Sequence, residues 1–141
     1  ADCIQIFDSW GGLLDENYEE LSLNYINQIA SSVQNDIPVI LYTRDKLIDE
    51  IINSTPIKCF NLDSSDKIDK HIDKKIAVQG NFNPKNFHAD KEELKQMAQS
   101  FHTKYKDSKN YIFNLGSGLT PDINPDKVGY FLNELSSFSS K

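Results

Sequence analysis

Five short apolar runs rich in β-formers, each followed by a stretch with helical spacing, constrain this chain more than any other feature. The runs are Cys3–Phe7, Val39–Tyr42, Ile57–Leu62, Ile76–Gln79 and Tyr111–Leu115. They are continuous rather than alternating, as strands buried on both faces of a parallel sheet are. Between the first two, Tyr18, Leu21, Tyr25, Ile29 and Val33 recur at helical spacing and read as one apolar stripe against the sheet. Leu47, Ile48, Ile51 and Ile52 predict a shorter helix that stops before Pro56, and Ile68 and Ile72 a third, brief and very polar. Asp90 and Glu93 form an Asp variant of the capping box ahead of the stripe Leu94, Met97, Phe101 and Tyr105. Asn124-Pro125 supplies a cap and a first-turn proline for a last helix carrying Val128, Phe131, Leu132, Leu135 and Phe138. The Ser-rich tail, residues 136–140, is expected to fray.

Strand then helix, five times over, predicts an α/β fold with a parallel sheet and right-handed crossovers. At 141 residues the chain is long enough for one core but not for a complete (β/α)8 barrel of roughly 250 residues. Two architectures fit: a five-stranded doubly wound sheet, or five consecutive units of an eight-unit TIM barrel. Periodicity does not separate them. The chain starts at Ala1, almost inside its first strand, with no initiator Met and no signal-type stretch. This start reads as a truncation, with residues 1–141 a single partial domain.

Charge narrows the partners. Fifteen Lys and Arg against twenty-one Asp and Glu give a net charge of −6, with no basic stripe to neutralise a phosphate backbone, so nucleic acid is not the expected ligand. An anionic small molecule stays open, because a few cations in a cleft outweigh a diffuse negative surface. No apolar run approaches the ~20 residues of a membrane span. Cys3 and Cys59 read as buried free thiols in a reducing, cytoplasmic setting.

Both architectures bind ligands at the carboxyl ends of their strands. Those ends read Phe7-Asp8-Ser9-Trp10-Gly11-Gly12, Thr43-Arg44-Asp45, Asp63-Ser64-Ser65, Gly80-Asn81-Phe82-Asn83-Pro84 and Gly116-Ser117-Gly118-Leu119-Thr120-Pro121-Asp122. Short polar side chains, glycines and one arginine are what a polar cleft requires. Asp8 and Asp63 either cap the helices that follow or belong to a site. Arg44 reads first as a solvated surface charge and second as an anion clamp. Gly116-Ser117-Gly118 lacks the third glycine and the directly following helix of a phosphate loop. His71, His88 and His102 lie away from the strand ends and read as surface residues, and no spacing matches a metal site.

At these ends the chain resembles uroporphyrinogen decarboxylases. Gln5 to Leu13 is similar to that family's QIFDSWGG stretch, Ala77 to Pro84 to its LQGNLDP, and Tyr111 to Leu119 to its FNLGHGI, with Pro121-Asp122 and Pro125 also in place. The resemblance covers essentially the whole chain. It implies the carboxyl-terminal five βα units of a (β/α)8 TIM barrel, strands four to eight. It also implies conversion of uroporphyrinogen III to coproporphyrinogen III by loss of four acetate carboxyls, with a tetrapyrrole substrate at the barrel mouth, no metal or cofactor, and a homodimer when the protein is intact. The family's substrate-contacting serine or threonine matches Ser9, its neighbouring aromatic Phe7, and its histidine falls on Ser117. The family's central aspartate has no counterpart here, and Asp8 and Asp63 are not that residue, so no catalytic acid is assigned. Two motifs are worn: Leu41 to Lys46 stands where the family has an LFTKGG-like stretch, and Asn61-Leu62-Asp63-Ser64 where it has GLDW. A catalytically inactive relative and a free-standing flavodoxin-like binding module are the alternatives. A zinc methyltransferase of the same barrel type fits poorly, because Cys59 is mid-strand and Cys3 begins one.

Overall fold

The computed structural model describes residues 1–33, 36–44, 48–72 and 75–139. Five parallel strands form one sheet: β1 (Ile4–Asp8), β2 (Val39–Thr43), β3 (Cys59–Asn61), β4 (Ala77–Gln79) and β5 (Tyr111–Ile112). Each lies on a predicted run. β5 is shorter than its run, whose far end touches the sheet again through a bridge between Phe82 and Leu115.

The strand order, β1-β2-β3-β4-β5, decides the architecture. A doubly wound sheet reverses direction at a switch point, and none exists among the described strands, which removes the flavodoxin-like alternative. Right-handed crossovers that always advance in one direction leave every helix on the same face. The register shows this. Ile6, Leu41, Phe60, Val78 and Tyr111 are successive partners across the sheet, and all pack in one core with Leu23, Ile26, Ala30, Ile51 and Tyr105. The next row, Phe7, Tyr42, Asn61, Gln79 and Ile112, points by the alternation of the pleat to the face without helices. This is the wall of a barrel, with its inner lining uncovered at Phe7 and Ile112.

The first helix corrects the sequence reading. Glu19–Leu23 is a π-turn, followed by α1 (Asn24–Val33). A π-turn adds one residue to the helical repeat, so the buried positions run Tyr18, Leu23, Ile26 and Ala30. Leu21, Tyr25 and Ile29, assigned to the stripe from their spacing, are instead 56%, 59% and 53% exposed. Tyr18 and Val33 do face the core.

α2 (Ile48–Ile51) is a single turn with Ile51 buried; Leu47 lies outside the described residues. The third predicted helix is a 3-10 turn over Ile68–Lys70. α3 (Lys91–Tyr105) starts as its sequence dictates: Asp90 Oδ1 accepts from Glu93 N at 2.9 Å, and Glu93 Oε2 accepts from Asp90 N at 3.1 Å. α4 (Pro125–Ser139) opens with Asn124 Oδ1 accepting from Asp126 N at 2.9 Å. It runs on through Ser139, so the serines at 136–139 continue the helix rather than fray. α3 and α4 enclose a second, aromatic core in which Phe131 stacks 4.4 Å from Phe82 and meets Phe87 at 5.6 Å.

Two further expectations change. Cys3 is exposed and Cys59 only half-buried, both free thiols. His71 is 2% exposed, with Nε2 3.3 Å from Asp66 and Nδ1 3.9 Å from Asp49. The 3-10 turn carries Ile68 into the core and takes His71 with it, where its two carboxylate neighbours meet it. His88 is exposed beside Asp122, and His102 is half-buried against Phe138.

Candidate functional site

Specific local contacts hold the loops at the carboxyl ends of the strands. At β1, the Asp8 carboxylate accepts from Gly11 N at 2.9 Å and from Ser22 Oγ at 3.0 Å, closing the turn that carries Ser9. Asp8 is therefore a turn cap and not a cleft acid. The Asp8 carbonyl accepts from Arg44 N at 3.3 Å, tying the ends of β1 and β2. After β3, Asp63 Oδ1 accepts from both Ser65 N and Ser65 Oγ at 3.0 Å, an Asx turn. Asn81 Nδ2 holds that turn by donating to the carbonyls of Asp63 and Asp66, each at 2.7 Å. After β4, Gly80 sits at φ +113°, a region only glycine adopts without strain, and accepts from the Tyr111 hydroxyl at 2.5 Å. Burial pushes that phenol's pKa up, so it stays a donor. After β5, Gly116 abuts Ser64 so closely that a Cβ would fall 2.4 Å from the Ser64 nitrogen, which requires glycine there.

These loops surround a cavity of about 540 Å³ at the carboxyl ends of the strands, within the range of small-molecule sites. It is lined by Phe7, Ser9, Tyr42 and Arg44 from the first two strand ends, by Asn61 and Asn114, and by the loop 115–119. The three site residues expected from sequence, Phe7, Ser9 and Ser117, lie round this one cavity. Arg44, read first as a surface charge, is exposed but on the cavity wall, its guanidinium carbon 5.6 Å from the centre of the Trp10 ring. Asp45 and Lys46 lie outside the described residues. A smaller cleft of about 160 Å³, between Phe101, Tyr105, Tyr111 and Leu135, opens on the helix side and away from the strand ends.

Sequence reasoning missed the amides beneath the cavity. Gln79 Nε2 donates to Asn61 Oδ1 at 2.7 Å and to Gln5 Oε1 at 2.9 Å, and Asn114 Nδ2 donates to Asn61 Oδ1 at 3.1 Å. Asn61 and Gln79 are buried, and Gln5 Nε2 is shielded from solvent without a hydrogen-bond partner. A neutral, rigid polar floor of this kind can orient the N–H or C=O groups of a ligand but cannot move a proton at neutral pH. The signal was present: each of these residues alternates with an apolar neighbour that faces the helices. Among the described residues no cluster of three or more His, Cys, Asp or Glu could hold a metal ion, and no helix is long and apolar enough to cross a membrane.

A singly wound parallel sheet with its helices on one face and a polar cleft at its carboxyl ends defines a (β/α)8-barrel protein, present here as five βα units. A family model for uroporphyrinogen decarboxylase (URO-D) matches residues 1–138. The chain is 32% identical to the uroporphyrinogen decarboxylase of Pseudoalteromonas translucida, 33% to that of Hydrogenovibrio crunogenus and 32% to that of Pseudomonas putida. Each alignment takes in the whole of this chain and 43% of the relative, so the chain spans less than half their length. It belongs to the uroporphyrinogen decarboxylase family.

Proposed function

We propose that this chain forms the carboxyl-terminal five-unit wall of a uroporphyrinogen decarboxylase and binds one side of the tetrapyrrole. The observation that carries this is the meeting of Phe7, Ser9 and Ser117, from the first and last strand ends, round one cavity of about 540 Å³. In that reaction a pyrrole carbon takes a proton, the ring becomes a cation, and the cation accepts the electron pair released as the acetate carboxylate leaves as CO2. A buried carboxylate that stabilises the cation is the group such chemistry needs, and it needs no metal or cofactor as electron sink. The described cavity lining holds no carboxylate. The role of these five units is then to bind and orient: Ser9 and Ser117 donate hydrogen bonds to substrate carboxylates, and Phe7 covers a pyrrole ring. The intact protein is read as a cytoplasmic homodimer, residues 1–141 being one partial domain of it.

The test is turnover. The 141-residue chain alone is expected to convert no uroporphyrinogen III, and to gain activity when produced with the amino-terminal portion of the Pseudoalteromonas translucida enzyme. Turnover by the chain alone, or none in the complemented pair, overturns the reading. Ser117 favours one second reading, a relative that has lost catalysis, because a serine cannot carry positive charge toward a carboxylate. A complemented pair that binds the tetrapyrrole but converts none of it would select that one.

A further inference from the structure

We propose that Arg44 is the carboxylate anchor of this cavity, supplying the positive charge that Ser117 does not. This rests on the reading that the cavity takes a polycarboxylate tetrapyrrole. Among the described residues that line the cavity, Arg44 is the only one with a charge; the rest are hydroxyls, amides, apolar side chains and glycine backbone. The amides are already spent on one another, Asn61 accepting from both Gln79 and Asn114. A ligand with several carboxylates therefore meets one cation here, and a single charge in a concave site outweighs the chain's diffuse net charge of −6.

Arg44 is also held in place. Its backbone nitrogen donates to the Asp8 carbonyl at 3.3 Å, so it follows β2 directly at the level where β1 turns through Ser9. Its guanidinium lies 5.6 Å from the Trp10 ring centre, a cation–π distance. A planar guanidinium restrained by a ring keeps its N–H fork for a planar, two-oxygen partner, which a carboxylate is and a single hydroxyl is not. The Asp8 carboxylate does not compete, since Gly11 and Ser22 occupy it.

The experiment measures equilibrium binding of two probes to the 141-residue chain: uroporphyrin, the oxidised and unreactive form of the substrate ring, and mellitate, a benzene ring with six carboxylates. Variants are Arg44→Gln, Arg44→Lys and, as a control of equal charge change outside the cavity, Lys91→Gln. Arg44→Gln is expected to weaken both probes about tenfold and to flatten the salt dependence. Arg44→Lys should fall between, and Lys91→Gln should match the wild type. If the wild type binds uroporphyrin and Arg44→Gln binds it as tightly, or Lys91→Gln loses as much, the anchor is overturned and the tetrapyrrole reading stands. If mellitate binding depends on Arg44 but uroporphyrin does not bind, the anchor stands and the tetrapyrrole reading falls. If neither probe binds the wild type, both fall.

Discussion

Gln79 on β4 donates a hydrogen bond to Gln5 on β1 at 2.9 Å, across two intervening strands. On a flat sheet those strands would lie about 14 Å apart, with side chains standing perpendicular to it. The contact therefore records how strongly the sheet curls toward its inner face. Gln79→Leu should remove the donor to Asn61 as well and cost about 1 kcal/mol, because the half-buried Gln5 oxygen loses that donor while Asn61 Oδ1 keeps Asn114. A shift in the urea midpoint measures it. An unchanged midpoint would mean that the curl is set by the helices outside, not by the amides inside.

The capping box at α3 joins local sequence to the packing of the two long helices. Asp90→Ala removes the acceptor for the Glu93 nitrogen at 2.9 Å and should destabilise the chain by about 1 kcal/mol. Asp90→Asn, which keeps the oxygen, should recover most of it in the same denaturation series.

In the aromatic core, Phe131 is fully buried between Phe82, Phe87 and Phe113, with ring centres 4.4, 5.6 and 5.7 Å away. Phe131→Ala should cost about 3–5 kcal/mol, and Phe131→Leu clearly less, since the cavity left is smaller. Equal losses for the two would show that ring geometry, not volume, decides stability there.

The two thiols should differ in reactivity. Burial, with a lesser contribution from nearby Cys3, pushes the Cys59 thiol from 9.0 up to about 11, while Cys3 is exposed. The thiolate is the reacting form. At pH 8 iodoacetamide should modify Cys3 first and Cys59 at least tenfold more slowly, the slow phase speeding up with pH until about 11. The sign for stability follows. The folded thiol holds its proton more tightly than the unfolded one, so its contribution is complete below pH 9 and is lost as pH rises toward 11. Cys59→Ala should remove the slow phase and flatten that loss.

How much of this was legible before the structure depends on which residues carried the information. The five strands and the α3 and α4 caps were, because continuous β-branched runs and Asp90, Glu93 and Asn124-Pro125 act through local chemistry. The stripe on α1 was misread at Leu21, Tyr25 and Ile29 because a π-turn over Glu19–Leu23 has no side-chain signature of its own, yet shifts the buried positions to Leu23, Ile26 and Ala30. His71 was misread because its burial is set by Ile68, three residues earlier, and by the carboxylates of nearby Asp66 and of Asp49 on α2. Phe7, Ser9 and Ser117 were singled out from the other strand-end residues only through likeness to a family. The amide floor of Gln5, Asn61, Gln79 and Asn114 was missed because it is a property of the inner row, and the inner row exists only once the sheet is known to curl. Sequence spacing alone left barrel and doubly wound sheet equal; strand order separated them.

Ser117 tests what kind of family member this is, and its pH dependence can separate charge from shape. In the wild type the described cavity lining holds one cation, Arg44, and no histidine or carboxylate, so uroporphyrin affinity should be nearly flat between pH 5.5 and 8. Ser117→His adds a group that is charged only below about 6.5. Its affinity should match the wild type at pH 8 and rise by about tenfold at pH 5.5, where the ligand's carboxylates are still ionised. In a complemented pair, a large rise in turnover with Ser117→His would mark an enzyme that has lost one contact and kept the rest of its cleft. A rise in affinity with no rise in turnover would mean that the cleft still binds the tetrapyrrole but is used for something other than decarboxylation. Affinity that stays flat with pH in both forms would place residue 117 out of reach of any carboxylate and remove it from the site.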